Sequence, residues 1–407
     1  MLSLAMLVRD EAEQIEAALA SVAGFVDEMV VLDTGSRDDT AAIARRCGAT
    51  VHTMDWPGDF APARNRCLEL VHGDWVLVLD ADERLRPEAR RPLRQLIAQP
   101  DLLVVTLLRQ EIGALQSPYS SVSRLFRRHP AIRWSRSYHA MIDDSVTGLL
   151  ELEPHWRVAQ CPEPALLHSG YRPERLADGD KARRLRQAME ADLRRQPGDP
   201  YSCAKLGALL VEEGEAERGI ALLEQGLAAA PAGADPERFE LLLHLAIALT
   251  PRDPSRAEVL YRQALKLPLD PRLTLAARLN LAALLLEPPA PPTRQPQASR
   301  LEHAARLCRE ATAAAPAIAQ AWSQLGLVER RRGAIAAAIE AYRRALSLDP
   351  AHAPTHQNLA VALLLAGDIA GCRAAFREAI RRLEEGGQSA EAQALARQAA
   401  SMVRLEE

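Results

Sequence analysis

A repeat of about 34 residues in the second half of the chain constrains its fold more than any other feature. The clearest copy begins at Ala319, and a shift of 34 residues brings similar residues into corresponding positions. A unit of this length forms two helices with an apolar face that only the next unit can cover. The pattern therefore predicts a stacked helical array over residues 201–407. The positions that carry it are Trp322, Leu325, Gly326, Gly333, Ala338, Tyr342, Ala345 and Pro350 in one copy, and His356, Leu359, Ala360, Gly367, Cys372, Phe376 and Ala379 in the next.

The spacing of these residues resembles the tetratricopeptide pattern of W-x2-L-G, then A-x3-F or Y, then A and P. About five copies are present, two of them looser than the others. One looser copy is interrupted by "EPPAPPTRQPQASR" at 287–300, which predicts a surface loop because proline is excluded from helix interiors. A helical connector is expected at 176–200. A generic helical bundle is the alternative to a repeat array.

The first half of the chain follows a different pattern, in which short apolar runs alternate with helical stretches. This alternation predicts βαβ units and a mostly parallel sheet, whose ligands bind beyond the carboxyl ends of the strands. The predicted fold is therefore an α/β domain followed by an all-α repeat array. The expected strands are 2–8, 28–33, 49–54, 75–80 and 102–108, and the expected helices are 11–23, about 38–47, about 61–71 and 87–98.

Composition and charge argue against several classes of protein. The formal net charge is −4, which makes the chain a poor electrostatic partner for nucleic acid. The six cysteines lie far apart without a C-x-x-C pair, which indicates reduced thiols rather than disulfides or a zinc site. The first strand candidate begins at Leu2 with no basic segment before it, and no apolar run reaches the length of a membrane span. We expect a cytoplasmic protein, with peripheral contact at the inner membrane face left open.

Three acids stand at the ends of predicted strands. Asp33 ends the second strand, and Asp80 ends the fourth, with Asp82 two residues beyond it. Because ligands of such sheets bind beyond the carboxyl ends of the strands, these side chains are expected to converge on one cleft. The D-x-D spacing suits a hard divalent cation, Mg²⁺ or Mn²⁺, whose remaining positions take diphosphate oxygens. A helix-capping cluster is the alternative, because a helix dipole favours acids ahead of a helix.

Four segments in a fixed order resemble a family 2 glycosyltransferase of the GT-A fold. They are "AMLVRDEAEQIEAALAS", "VVLDTGSRDDT", "DFAPARNRCLEL" and "DWVLVLDADERL", and the resemblance covers residues 1–175. The order and spacing of the four motifs are far more specific than any one of them. Within the family, the chain is similar to bacterial lipopolysaccharide-core glucosyltransferase-like proteins and to peptide glycosyltransferases with a C-terminal repeat domain.

The resemblance implies four residues that bind the nucleotide part of the donor. Glu11 and Asp33 would contact the base and the ribose. Arg64 and Asn65, in "APARN", would line the nucleotide site. The alternatives are a solvated helix residue for Arg64 and an N-terminal helix acid for Glu11.

The resemblance also implies a metal and diphosphate site. Asp80 and Asp82 match the pair that holds the metal and the diphosphate. His168, in "LLHSGY", would be a further metal ligand or a diphosphate contact. A histidine satisfied within a domain interface is the alternative for His168.

The segment "SRLFRRHPAIRWSRSYHAMI" resembles the family's acceptor-side motif, in which His139 matches a histidine that is usually followed by glutamate. That glutamate would be a natural general base for an acceptor hydroxyl, but Ala140 stands in its place. Asp143 and Asp144 follow closely and are the candidate substitutes.

Two functions are consistent with these features. The resemblance implies an inverting, metal-dependent hexosyltransferase that moves a sugar from a nucleotide-diphosphate donor to a saccharide, a lipid-linked or a peptide acceptor. The repeats would recruit the acceptor or a protein partner, or would associate with themselves. The alternative is a repeat-protein scaffold whose transferase domain is inactive or only binds donor, which Ala140 favours and the retained acids disfavour. No nucleic-acid partner is expected.

Overall fold

The computed structural model describes residues 1–114, 117–136, 140–170, 179–287 and 296–403, with the backbone alone over 179–185. The chain divides into two compact units, Met1–Leu206 and Gly207–Glu407. Our boundaries for the transferase domain, the connector and the repeats stay predictions.

The first unit is built on one eight-stranded sheet. Its strands are β1 Leu2–Val8, β2 Glu28–Asp33, β3 Thr50–Thr53, β4 Trp75–Val78, β5 Glu83–Leu85, β6 Leu102–Glu111, β7 Tyr119–Arg127 and β8 Arg157–His168. Its helices are α1 Ile15–Val22, α2 Thr40–Arg46, α3 Phe60–Leu70, α4 Pro87–Ile97, α5 Asp143–Leu152 and α6 Gly179–Arg195. Every strand and helix expected in this part of the sequence is present, with ends that differ by at most four residues.

The sheet has a parallel half and a mixed half. The strand order is β3-β2-β1-β4-β7-β6-β8-β5. Strands β3, β2, β1 and β4 run parallel, as the alternating pattern predicts. Strand β7 is antiparallel to both β4 and β6, whereas β8 is parallel to β6 and antiparallel to β5.

Strands β5, β7 and β8 were not predicted from the sequence. Strand β7, "YSSVSRLFR", has no continuous apolar run, and β8 contains Pro162 and Pro164. Proline cannot donate to a strand ladder, and the β6–β8 pairing shifts register opposite this part of β8. The usual strand signals are therefore weak in both segments.

Apolar side chains cover both faces of the sheet. On one face, α1, α2 and α4 pack against the strands, with Ile15, Leu19 and Leu93 fully buried. On the other face, α3 and α5 pack in the cluster that contains Phe126 and Trp134. Burial on both faces explains why β1, β2 and β4 are mainly apolar and why the acids of β2 lie only at its ends.

The remaining described helices form a helical region in which neighbouring helices pack in pairs, and the expected number of about five repeats stays a prediction. They are α7 Pro200–Glu212, α8 Ala216–Ala229, α9 Asp235–Leu249, α10 Pro254–Ala264, α11 Leu275–Leu286, α12 Gln297–Ala314, α13 Ala319–Arg331, α14 Ile335–Leu348, α15 Ala353–Leu365, α16 Ile369–Glu385 and α17 Ser389–Met402. The last helix, α17, places Leu395 and Ala399 in the cluster around Phe376 and so covers the end of the array. None of the described helices is both long and apolar enough to cross a membrane.

The proline-rich insertion is shorter than the sequence predicted. Helix α12 begins at Gln297, so residues 297–300 are helical rather than part of a loop, and residues 288–295 lie outside the described residues. Contacts of Arg300 are consistent with the earlier start of the helix. Its side chain is buried and its Nη1 lies 3.0 Å from Glu258 Oε2, which anchors the first turn of α12 to α10.

Candidate active site

The parallel strands bring the predicted acids to one edge of the sheet. Val8, at the end of β1, pairs with Asp33 at the end of β2. On the other side of β1, Ala5 pairs with Val78. Val8 lies three residues after Ala5, and Ala81 lies three residues after Val78, so Ala81 is at the same level of the sheet as Val8. Neighbouring strands lie about 4.8 Å apart, which separates Asp33 from the segment around Ala81 by about 10 Å across β1.

A hydrogen bond ties the loop that carries Glu11 to the start of α2, which follows the loop after Asp33. The backbone N–H of Glu11, after β1, donates to Thr40 Oγ1 at 2.8 Å, at the start of α2. Asp33 is buried, and its Oδ1 accepts from the N–H groups of Gly35 and Ser36 at 3.0 and 2.8 Å. Gly35 has a φ of +98°, a conformation that glycine adopts without a steric penalty. The tight turn after β2 therefore fixes the carboxylate of Asp33.

Asp80 is held between two arginines. Arg64 Nη2 donates to its Oδ1 at 2.7 Å, and Arg124 Nη2 donates to its Oδ2 at 2.8 Å. Burial alone would raise the pKa of the Asp80 carboxyl, but the two guanidinium groups outweigh it and hold this pKa far below its usual range. Asp80 is thus a carboxylate at any physiological pH, and its side chain stays 32% exposed to a ligand.

One nitrogen of Arg64 has no hydrogen-bond partner among the described residues. This atom, Nη1, is buried, and Arg64 as a whole is 8% exposed. A cavity of about 10 Å³ lined by Arg64, Cys67 and Trp134 lies beside it. That volume is about the size of one water molecule.

The two arginines belong to a buried network of alternating charge. Glu83 is fully buried, and its Oε1 accepts from Arg109 Nη1 at 2.6 Å and lies 3.9 Å from Arg124 Nη2. Glu83 Oε2 accepts from the backbone N–H of Asp80 at 2.9 Å. Arg109 Nε donates to Glu111 Oε1 at 2.8 Å. Buried charges are tolerated when they are paired, so this network fixes both the backbone and the carboxylate of Asp80.

His168 lies between two carboxylates. Its Nδ1 is 2.5 Å from Glu111 Oε2, and its Nε2 is 3.4 Å from Asp82 Oδ2. Burial would lower the pKa of the imidazole, but the contacts with Asp82 and Glu111 outweigh it and raise the pKa to about 9. The structure therefore brings His168 together with the D-x-D segment, as the resemblance implied.

Asn65 holds a backbone segment in place. Its Nδ2 donates to Trp134 O at 2.9 Å, and its Oδ1 accepts from the Trp134 N–H at 2.8 Å. The guanidinium carbon of Arg64 lies 4.8 Å from the Trp134 ring centroid. Asn65 thus positions the ring that Arg64 packs on, and its direct contact with a nucleotide stays a prediction.

The two candidate bases have different partners. Asp143 and Asp144 are both exposed at the start of α5. Asp144 Oδ1 lies 3.1 Å from Arg136 Nη2, and Arg136 also pairs with Asp199 at 2.8 Å. Asp143 Oδ1 accepts from Ser123 Oγ at 2.7 Å, one residue from Arg124 in β7. Asp144 is therefore part of a structural ion pair, whereas Asp143 lies beside the strand that carries the charge network.

Ala140, which stands where the family usually has glutamate, lies in apolar surroundings. Ala140 packs against the cluster that contains Trp134. His139 lies outside the described residues. Ala140 itself therefore cannot act as a general base.

The groups around Asp82 fit a divalent cation in type. Carboxylates and imidazoles both bind Mn²⁺, and a carboxylate on Nδ1, as Glu111 is on His168, is the usual support of a metal-binding histidine. The described part of the chain contains no cluster of three or more His, Cys, Asp or Glu suited to a metal. Further ligands would have to come from substrate and water. Both Asp80 oxygens face arginines, so a metal bond from Asp80 stays a prediction.

Sequence reasoning missed Arg109, Glu111 and Arg124, which form the charge network around Asp80 and His168. The strand expected at 102–108 continues to Glu111. Arg109 and Glu111 therefore lay beyond the end of the predicted strand. Arg124 stands in the "SRLF" segment, whose resemblance to the acceptor-side motif indicated only His139 and the position after it. The available signal was the occurrence of charged residues within or at the end of strands, because such residues need partners when buried.

These features define a glycosyltransferase domain followed by tetratricopeptide repeats. Residues 3–154 match the model of "Glycosyl transferase family 2", and residues 326–367 match the model of "TPR repeat". Both halves of the predicted architecture, the α/β transferase fold and the helical repeats, are thereby confirmed.

One relative is similar to this chain over nearly its whole length, and others are similar to one half of it. A TPR repeat-containing protein of Synechococcus elongatus is 43% identical over 397 residues, which cover 97% of this chain and 95% of that protein. The chain belongs to the family of that protein. An uncharacterized glycosyltransferase of Rickettsia felis is 27% identical over 184 residues, which cover 43% of this chain and 64% of that protein. A solved thermophilic TPR protein of Thermus thermophilus aligns with a TM-score of 0.38 and 22% identity, covering 50% of this chain and 98% of that protein.

Proposed function

We propose that the chain is a metal-dependent inverting glycosyltransferase of the hexosyl type, which transfers sugar from a nucleotide-diphosphate donor. The observation that carries this proposal is the position of two acidic segments at one sheet edge, after strands β2 and β4, which flank β1. Two strand spacings of about 4.8 Å separate them, which suits a ligand with its ribose at one end and its diphosphate at the other. Glu11 and Asp33 would bind the nucleoside, and Asp80 would face the ribose or the diphosphate.

The charge balance of the site supports the need for a metal. Four acids, Asp80, Asp82, Glu83 and Glu111, face three arginines, and His168 adds no charge when it binds a metal, because a metal takes the neutral imidazole. The network then carries one formal negative charge and has no spare positive charge for a diphosphate. Asp82 and His168 would hold Mg²⁺ or Mn²⁺, which, when bound, neutralises the charge of the leaving nucleoside diphosphate.

On the acceptor side, we assign the role of general base to Asp143 rather than Asp144. Asp144 is paired with Arg136, and removing its charge would leave that arginine with one partner fewer. Asp143 is exposed beside Ser123 and would take the proton of the acceptor hydroxyl as that oxygen attacks the anomeric carbon. A single displacement of this kind inverts the configuration at that carbon.

The repeats would recruit a saccharide, lipid-linked or peptide acceptor, or a protein partner. The sugar and the base of the donor are questions for a substrate panel. UDP-sugars and GDP-sugars with Mn²⁺ or Mg²⁺ would be screened for metal-dependent hydrolysis, which needs no knowledge of the acceptor.

The decisive variant is Asp82→Asn, which keeps the shape of the side chain and removes its charge. Losing a metal ligand removes several kcal/mol of charge stabilisation, so hydrolysis should fall by about 100-fold or more. Asp101→Asn, at an exposed ion pair with Arg157, is the matched control and should leave the rate unchanged. Unchanged turnover in Asp82→Asn would refute the metal assignment.

The competing scaffold function rests on Ala140, which lacks the carboxylate of the usual base. Titration calorimetry separates the transferase from a scaffold that binds no donor, and metal-dependent hydrolysis separates it from a scaffold that only binds donor. A pure scaffold gives no metal-dependent heat with any nucleotide sugar, whereas the transferase gives heat that Asp82→Asn abolishes.

A further inference from the structure

A pocket of about 380 Å³ lies in the second unit, and its lining includes none of the residues of the candidate active site. It is lined by the end of α10 and by α11 and α12, which are the second helix of one pair and both helices of the next. Its apolar lining consists of Leu265, Leu281 and Leu307. It therefore differs from a groove lined by successive first helices, and its volume lies within the range of ligand pockets.

The polar lining of the pocket is mainly cationic. Arg262, Lys266 and Arg278 contribute three positive charges, against the single acid Glu310. Lys266 is exposed and has no ion-pair partner in the part of the chain that the structure describes. Burial lowers the pKa of His303, and neighbouring arginines lower it further, so this imidazole adds no charge at neutral pH. The lining residues thus carry an excess of two positive charges.

Ion pairs and a bond to a backbone carbonyl hold the arginines of the pocket in position. Glu258 lies 2.8 Å from Arg262 and 3.0 Å from Arg300, which ties α10 to α12. Arg278 Nη1 donates to the carbonyl of Pro271 at 3.2 Å, and its Nε lies 3.5 Å from Glu310. Cations that are already ordered lose little conformational entropy when a ligand binds.

We propose that this pocket binds an acidic peptide segment of a partner protein, with its carboxylates on Lys266, Arg262 and Arg278 and an apolar side chain on the three leucines. Guanidinium groups match the planar geometry of carboxylates, and the lysine adds an unpaired charge at the rim. An inorganic anion would use the cations but leave the apolar lining exposed. The proposal goes beyond glycosyl transfer and holds whether or not the first unit is active.

The test uses the full chain and a fluorescein-labelled peptide of alternating leucine and glutamate. Fluorescence anisotropy would give its affinity beside that of a leucine and glutamine peptide of equal length. Lys266→Glu should weaken the acidic peptide by about tenfold, because a favourable charge becomes a repulsive one. Arg397→Glu makes the same charge change at an exposed position of α17 and should leave the affinity unchanged.

Lys266→Met removes the charge without repulsion and should lie between the native chain and Lys266→Glu. Equal binding of the acidic and neutral peptides, or an affinity that Lys266→Glu leaves unchanged, would overturn the proposal. Complete displacement of the peptide by an equal concentration of inorganic phosphate would also overturn it, because the pocket would then bind anions without regard to the apolar part.

Discussion

Glu111 touches two parts of the candidate active site with its two oxygens. Oε2 lies 2.5 Å from His168 Nδ1, and Oε1 accepts from Arg109 Nε at 2.8 Å. Arg109 in turn bonds Glu83, which holds the backbone of Asp80. A single buried carboxylate therefore links the histidine to the D-x-D segment, and its role is to position groups rather than to contact substrate.

At the residue scale, we expect Glu111→Gln to weaken Mn²⁺ binding while leaving nucleotide affinity without metal nearly unchanged. Glutamine has the same size but lacks the charge that orients His168, and loss of such support costs about 10–100-fold in metal affinity. Calorimetry with Mn²⁺, in the presence and absence of a nucleoside diphosphate, separates the two effects. Glu153→Gln is the control, because Glu153 also pairs with a histidine, His129, but is partly exposed. Equal losses with and without metal would mean that Glu111 only stabilises the fold.

At the scale of helices, a glycine decides how closely one repeat pair can pack. A Cβ at Gly326 in α13 would lie 2.6 Å from two ring carbons of Tyr342 in α14. Tyr342 is fully buried, so its ring has little freedom to move. The close approach of the two helices therefore requires glycine at this repeat position.

Gly326→Ala should destabilise the chain by about 1–3 kcal/mol, the usual cost of overpacking a core. Gly148→Ala is the matched control, because Gly148 lies inside α5 and a Cβ there would meet nothing within 4 Å. Alanine has the higher helix propensity, so the control should gain up to about 1 kcal/mol. Denaturant unfolding followed by circular dichroism measures both changes. If Gly326→Ala does not lower the free energy of unfolding, α13 and α14 can move apart without cost and the prediction is wrong.

At the scale of the whole molecule, the chain carries two kinds of candidate site in two compact units. The charge network lies in Met1–Leu206, and the cationic pocket lies in Gly207–Glu407. A ligand stabilises the structure that binds it, by about 2.7 kcal/mol at a concentration of 100 times its Kd.

We therefore expect two transitions in differential scanning calorimetry, each raised by a different ligand. A nucleotide sugar with Mn²⁺ should raise one transition, and this shift should vanish in Asp82→Asn. The acidic peptide should raise the other, and that shift should vanish in Lys266→Glu. Chelation of the metal should reverse only the first shift. A single transition that both ligands raise would mean that the units unfold together.

Much of the fold could be predicted because it depends on local patterns. The repeat period fixed the helix pairs, and the alternation of apolar runs with helices indicated the parallel strands β1 to β4. The strand-end rule placed Asp33 and Asp80 on one edge of the sheet, since the carboxyl ends of parallel strands point the same way. Each of these inferences uses residues within one turn, one strand or one repeat.

The sequence by itself therefore determined the two architectures and the edge at which the acids lie. Only the tertiary structure decided what those acids contact. Arg124 and Glu111 reach Asp80 and His168 through the pairing of β7 with β4 and of β8 with β6, between segments far apart in the chain. Such contacts depend on strand register, and a shift of one residue turns every side chain to the opposite face. Local patterns fix neither the partner strand nor its register, and so could not reveal the charge network.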